Sequence, residues 1–305
     1  MMFFARRPST SDGKQLKYVW WPYVVLAQRE ARIAQAAEAR GGWRLWLYEF
    51  ARFGAKQAWA CLFGGAMVAL LIGTWLWYPK DAPLARYDFL VIASVVIQVA
   101  MLVFRLETWE EAKVILLFHV TGTIMEVFKT YVGSWQYPDA GILKIGSVPL
   151  FSGFMYASIG SYIARVWRLF DFSFVNHPSF RVTAAISFAI YINFFTHHYF
   201  FDFRWIILAV LVVAFRKTTI YFRIRRHHRH MPLLLGFFLV ALFIWFAENI
   251  GTFTQTWIYP TQTGVWQMVP FGKLIAWYLL MIISYVMVSF VNKPQSHVVK
   301  PLHNP

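Results

Sequence analysis

Shifting this chain by 122 positions lays Glu126, Trp135, Tyr137 and Pro138 onto Glu248, Trp257, Tyr259 and Pro260. Each glutamate lies inside an apolar segment long enough to cross a bilayer. Val148-Pro149 and Val269-Pro270 follow at nearly the same distance, and each opens another apolar segment. Composition can produce one such string by accident, but two in register imply a duplicated membrane unit. An ionised carboxyl in hydrocarbon costs about 3 kcal/mol or more, so keeping one at the same place in both units points to function.

Apolar stretches of roughly 20 residues, the length that crosses a bilayer, occur eight times. They run near 57–78, 88–104, 112–132, 149–168, 181–199, 204–222, 231–254 and 270–291. The 122-residue shift carries the first four onto the last four, so the repeat is a four-helix unit. A unit with an even number of spans returns the chain to its starting side, which relates the halves by an axis along the membrane normal. The expected fold is an all-α membrane protein with eight transmembrane helices in two parallel four-helix repeats. The repeats occupy 57–172 and 173–292, between an N-terminal interfacial segment (1–56) and a tail (293–305).

The lipid bilayer is the first partner this composition implies. With 59% hydrophobic and 14% charged residues, against about a quarter charged in soluble domains, the chain has more apolar surface than a water-soluble core can hide. Of 29 Lys and Arg, 23 fall in the N-terminal segment, in loops near 105–113, 165–181 and 216–230, and in the tail. That bias places both termini in the cytoplasm. The net charge of +15 is therefore a topology signal. The basic run from Arg223 to His230, with Arg225, Arg226 and Arg229, is short and lies between two membrane segments, so anionic headgroups rather than nucleic acid are its expected partner.

Local signals set some of the boundaries. Glu30 to Arg40 reads as a polar, Ala-rich helix ended by Gly41-Gly42, and Trp43 to Lys56 alternates aromatic and basic residues as an interfacial helix does. Thr108 and Glu111 have capping-box spacing before the third stretch, and Pro149 and Pro270 suit the first helical position of the fourth and eighth. The single cysteine, Cys61, has no partner for a disulfide and is read as packing.

The candidate site gathers around the glutamates. Glu126 lies about 20 Å along the third helix, in the outer half of the membrane, and Glu248 lies at the same height. His119, Thr123 and Thr130 share a helical face with Glu126, while His119 has no counterpart in the second half. Glu126 and Glu248 are the candidate catalytic residues. His119, Trp135, Tyr137, Asn193, His197, His198, Asn249, Trp257 and Tyr259 are candidate substrate contacts. Lys129 and Arg204 offer the blander reading, in which each neutralises a glutamate. Adjacent His residues such as His197 and His198 point about 100° apart on a helix, so no metal site is expected. No cofactor-binding fingerprint is present, and oligomeric state is not legible.

The strings RLETWEEA (105–112), GTIMEVFKT (122–130), GSWQYP (133–138), VPLFSGFMY (148–156), NFFTHHY (193–199) and AENIGT (247–252) resemble a bacterial family of multi-pass membrane proteins, the domain of unknown function 817 family. The likeness extends over about 45–292 and implies an inner-membrane address without an activity. A similarity limited to Glu, the aromatic-Tyr pair and Val-Pro connects the chain with membrane proteins of carotenoid biosynthesis. Cyclising or hydrating a polyene requires a proton donor and a dry place for a carbocation. A carboxyl among apolar groups keeps its proton, and aromatic faces attract positive charge without trapping it. The expected function is binding or modification of an apolar isoprenoid or carotenoid-like substrate by proton donation. A proton-coupled transporter and a membrane scaffold are the alternatives.

Overall fold

The computed structural model describes residues 21–224 and 228–291; Arg225, Arg226 and the tail 293–305 lie outside that range. The first helices are α1 (Trp21–Arg40), α2 (Gly42–Ala60), α3 (Leu62–Trp77), α4 (Arg86–Val103) and α5 (Trp109–Tyr131). A two-residue hairpin, β1 (Lys144–Ile145) and β2 (Val148–Pro149), leads into α6 (Phe151–Phe170) and β3 (Ser173–Val175). Then come α7 (Phe180–Thr196), α8 (Arg204–Phe215), β4 (Thr219–Arg223), β5 (His228–Pro232), α9 (Leu233–Phe253) and α10 (Phe271–Val291).

Each apolar stretch carries one helix, α3 to α10 in order, with three departures at the ends. The first stretch is broken at Cys61, where α2 and α3 meet at 68°. In the sixth, helix stops at Phe215 because Thr219–Arg223 is a strand. At 12 residues α8 is about 18 Å long, short of the roughly 30 Å hydrocarbon core. Pro149 pairs in β2 instead of opening α6, which starts at Phe151, whereas Pro270 immediately precedes α10. By length and apolarity α4, α9 and α10 can each cross a bilayer, and the bent pair α2–α3 makes a fourth candidate. The protein is thus largely helical with three to four such spans.

α6 is the central helix and packs on α5, α3, α2, α4 and α10, while α10 packs on α9, α7 and α6. Close approach of α5 to α6 depends on missing side chains. A Cβ on Gly153 would come within 2.5 Å of His119 Nδ1, and one on Gly122 within 2.5 Å of Tyr156, so small residues set the spacing of this pair. Thr108 and Glu111 form the expected capping box: the Glu111 N–H donates to Thr108 Oγ1 at 3.2 Å and the Thr108 N–H to Glu111 Oε2 at 2.8 Å.

The strands correct the all-helical expectation. β4 pairs antiparallel with both β3 and β5, so the basic loops 165–181 and 216–230 form one small sheet. The alternation was present in the sequence, since Ile220 and Phe222 point inward from β4 while Arg223 points out. α2 lies on this sheet with its polar face inward. Lys56 donates to the Leu169 carbonyl at 3.0 Å and to the Arg223 carbonyl at 2.8 Å, and Arg229 pairs with Glu49. Trp43, Trp46 and Phe50 face outward, an arrangement suited to a lipid interface.

Beside the α2–α3 break lies a buried ion pair. Arg165 and Glu107 are 2.8 Å apart, and neither side chain is exposed. Ser161 and Gln98 donate to the same carboxylate at 2.7 and 2.6 Å, and Arg165 also donates at 3.1 Å to the Trp59 carbonyl at the end of α2, which a backbone N–H of the cap shares. Removing one partner strands a buried charge. Arg165→Met should therefore lower stability by about 3–5 kcal/mol in thermal melts of the detergent-solubilised protein. Glu107→Met combined with it should recover part of that loss, and an unchanged melt for the single variant would show that the pair contributes little.

The chain segments after α5 and α9 meet in a reciprocal pair. The Gln136 N–H donates to the Ile258 carbonyl at 3.0 Å, and the Ile258 N–H donates to the Gln136 carbonyl at 2.9 Å. Gln136 and Ile258 are 122 positions apart. Both helices end alike, with a left-handed residue at Gly133 (φ 73°) and at Gln255 (φ 53°), closed by the Ser134 N–H to the Lys129 carbonyl and the Thr256 N–H to the Gly251 carbonyl. A hydrogen-bonded antiparallel pair holds its Cα atoms about 5.5 Å apart, within disulfide reach. With Cys61 replaced by Ala, Gln136→Cys plus Ile258→Cys should crosslink under mild oxidation. The non-reducing gel mobility of a protein cut between the two positions reads the result, and separated fragments would refute the pairing.

Candidate functional site

Glu126 on α5 and Glu248 on α9 are both buried, at 4% and 7% exposure. Beyond the left-handed residue that ends each helix, the chain turns back extended, so residues two apart point the same way. This is the physical content of the spacing. Trp135 and Tyr137 return to Glu126 Oε2, donating from Nε1 and Oη at 2.7 Å each, while Gln136 between them faces Ile258. Trp257 Nε1 donates to Glu248 Oε1 at 3.2 Å, and the Tyr259 hydroxyl donates to the same oxygen. Tyr156 on α6 and Trp277 on α10 add polar hydrogens toward Glu126 and Glu248 respectively. The two carboxyl groups are close enough to sense each other's charge. Trp135 and Tyr259, from opposite halves, meet edge to face at 6.0 Å.

Both glutamates line one cavity of about 960 Å³, at the upper end of the range of small-molecule sites. Its lining on α6 runs from Ser152 to Trp167, about 22 Å of helix. Glu126, Lys129, His197, Arg204, Glu248 and Lys273 mark one end, whereas Phe50, Phe53, Gln57, Trp167 and Phe174 mark the other. Between them the wall is apolar, with Met155, Ile159, Ile163, Val240, Ile244 and Leu280 among its residues.

Of the expected contacts, Trp135, Tyr137, Asn193, His197, Trp257 and Tyr259 line this cavity with the two glutamates. Asn193 also braces the α7–α8 turn, donating to Asp202 at 3.0 Å and accepting from the Phe203 N–H at 2.9 Å. The other three are not in the wall. His119 sits between α5 and α6, 4.5 Å from the Phe154 ring, because Gly153 opens space for it there. His198 is exposed, and its Nε2 lies 2.7 Å from Lys129 Nζ. Asn249 ties α9 to the start of α10, donating to the Trp245 carbonyl and accepting from the Val269 N–H at 2.9 Å.

The counter-ion expectation fails for both basic residues. Arg204 pairs with Asp202 at 2.7 Å, and Lys129 meets imidazoles instead of a carboxylate. Sequence reasoning missed Tyr156, Lys273 and Trp277. Their signal was the helical face that follows each Val-Pro, with Ser152 and Tyr156 four residues apart on α6, as are Lys273 and Trp277 on α10. Among the described residues no three His, Cys, Asp or Glu side chains gather as a metal site would need.

No solved structure matches this chain. The uncharacterized protein YoaT of Bacillus subtilis (strain 168) is 42% identical over 245 residues, covering 80% of this chain and 92% of that protein. A family model described as "Protein of unknown function (DUF817)" matches residues 49–285, a span that takes in both glutamates, their Trp and Tyr donors and the whole cavity end around Lys129 and Lys273. The chain belongs to the DUF817 family.

Proposed function

We propose that this chain is an eight-span inner-membrane protein of two parallel four-helix repeats, with both termini cytoplasmic, that binds an apolar isoprenoid-like molecule and donates a proton to it. The observation that carries this reading is the placement of two carboxyl groups, each held by a Trp and a Tyr, at one end of a long apolar cavity. The reciprocal contact of Gln136 with its 122-offset mate Ile258 supports the duplication, since a twofold axis brings equivalent residues face to face. Mean packing also supports it: α5 lies on α6 as α9 lies on α10, and α3 lies on α6 as α7 lies on α10.

The chemistry needs no cofactor. A carboxylic acid transfers its proton to one carbon of a double bond, leaving a carboxylate and a carbocation on the neighbouring carbon. Return of a different proton to that carboxylate ends an isomerisation or a cyclisation and resets the acid. The rings of Trp135, Tyr137, Trp257 and Tyr259 would stabilise the cation in between. The similarity to carotenoid-biosynthesis proteins rests on sequence strings alone and adds a substrate class only by analogy. A proton-coupled transporter is the second reading, favoured by the 68° break at Cys61 in the wall of the same cavity, since broken helices that line a cavity also suit alternating access.

Glu126→Gln and Glu248→Gln separate a chemical from a structural role, because Gln keeps size and hydrogen bonding but carries no exchangeable acid proton. Extracts of membranes expressing wild type and each variant should differ in isoprenoid species while detergent melting curves stay within about 1 kcal/mol of wild type. Unchanged extracts together with lowered melting would overturn the enzyme reading. Unchanged extracts with altered proton-driven uptake into vesicles would favour the transporter.

A further inference from the structure

Lys129 is buried at 4% exposure in the cavity wall. Its ammonium nitrogen is 2.7 Å from His198 Nε2, 3.4 Å from His197 Nε2 and 4.1 Å from the centroid of the Phe194 ring. His197 uses its Nδ1 proton on the Asn193 carbonyl at 2.8 Å, so its Nε2 accepts from the lysine. Two of the three ammonium protons are thereby directed to imidazoles, and among the described residues the third has no hydrogen-bond acceptor. Lys273, at the start of α10, sits 4.4 Å from the Tyr259 ring centroid and 5.1 Å from that of Trp135. Among the described residues neither lysine has a carboxylate within ion-pair distance, whereas Arg204 has Asp202. Lys129, Lys273 and Arg204 are near enough for their charges to repel, while Asp202 lies within electrostatic reach of Lys129, and Glu248 and Glu126 within that of Lys273. Clustered cations at the edge of an apolar chamber are costly unless an anion joins them.

The opposite requirement comes from the rest of the chamber. Leu239, Phe243 and Phe246 on α9 line the cavity and are also exposed, at 40%, 70% and 46%. Gly64 and Gly65 line it from α3 and add no side chain. The cavity therefore opens sideways between α3 and α9, toward whatever apolar medium surrounds the helices.

We propose that the ligand is a phosphate monoester of a long apolar chain. Its dianionic head sits between Lys129 and Lys273 beside Arg204, and its chain lies along α6 toward Gln57, having entered through the α3–α9 opening. With Glu126 and Glu248 holding their protons, as the proton-donor reading requires, neither ammonium group is neutralised at ion-pair distance, and phosphate oxygens accept from several donors at once. The start of α10 adds the positive end of a helix. This inference rests on the reading that the cavity holds a long apolar molecule, and it names that molecule's polar end.

Cys61, the single cysteine of the chain, is exposed, lines the same cavity and reports occupancy. The full chain in detergent would be alkylated with a maleimide in the presence of geranylgeranyl monophosphate, geranylgeraniol or inorganic phosphate, with melting temperature recorded in parallel. The monophosphate should slow alkylation at a concentration about tenfold or more below that needed of the alcohol, as one charge-assisted hydrogen bond would give. Lys129→Gln and Lys273→Gln, singly and together, should remove that preference without changing protection by the alcohol, and Lys273→Arg should keep it. Equal potency of alcohol and monophosphate, or a preference that survives both Gln changes, would overturn the anionic-head inference and leave the apolar cavity standing. Stabilisation by inorganic phosphate equal to that by the monophosphate would make a free anion the ligand and overturn the amphiphile. Failure of both chain-bearing probes would overturn the cavity reading and this inference with it.

Discussion

A carboxyl group removed from water must be given hydrogen-bond donors, and much of this fold can be understood as the means of supplying them to Glu126 and Glu248. Helix backbone cannot help, because its N–H groups are committed to carbonyls one turn back. The donors come from the chain that follows each helix, which reverses at Gly133 or Gln255 and runs back extended so that a Trp and a Tyr reach the same carboxyl. That reversal leaves a residue between each Trp and Tyr pointing the other way, and Gln136 and Ile258 use their backbones to join the two loops. The same interaction that satisfies the acids therefore holds the halves together at their polar end.

Charge at the two ends of the bundle is handled differently. At the sheet end, cations are matched to acceptors: Arg165 has Glu107 and the Trp59 carbonyl, Lys56 has two carbonyls, and Arg229 has Glu49. These are structural contacts that tie helix ends and strands together. At the glutamate end, Lys129 and Lys273 face aromatic rings and neutral imidazoles beside open volume. The contrast separates the part of the molecule that is closed from the part that has room for a guest.

Several candidate residues turned out to have ordinary work. Asn249 adjoins Glu248 in sequence, but one step along a helix rotates a side chain by about 100°, and it faces the Val269 N–H instead of the cavity. His119 shares a helical face with Glu126, yet Gly153 draws it into the α5–α6 contact two turns away. Helical phase places residues on a face, and the packing of the neighbouring helix then decides which part of that face is covered.

The sequence alone determined what periodicity and spacing can carry: the order of the helices α3 to α10, the capping box at Thr108, the polar helix ended by Gly41, and the two Glu-Trp-Tyr strings whose residues do converge. These are local or repeated signals, readable because hydrophobic period and turn chemistry act over a few residues. Only the tertiary structure decided the 68° break at Cys61, the end of α8 at Phe215 and the sheet that joins loops 165–181 and 216–230, since each depends on partners far along the chain. It also decided the roles of the cations. Lys129 and Arg204 look interchangeable as counter-ions in sequence, but Asp202 sits two residues from Arg204 and takes it, while no carboxylate among the described residues lies within ion-pair distance of Lys129. Pairing of charge is a matter of distance in space, which sequence separation does not encode.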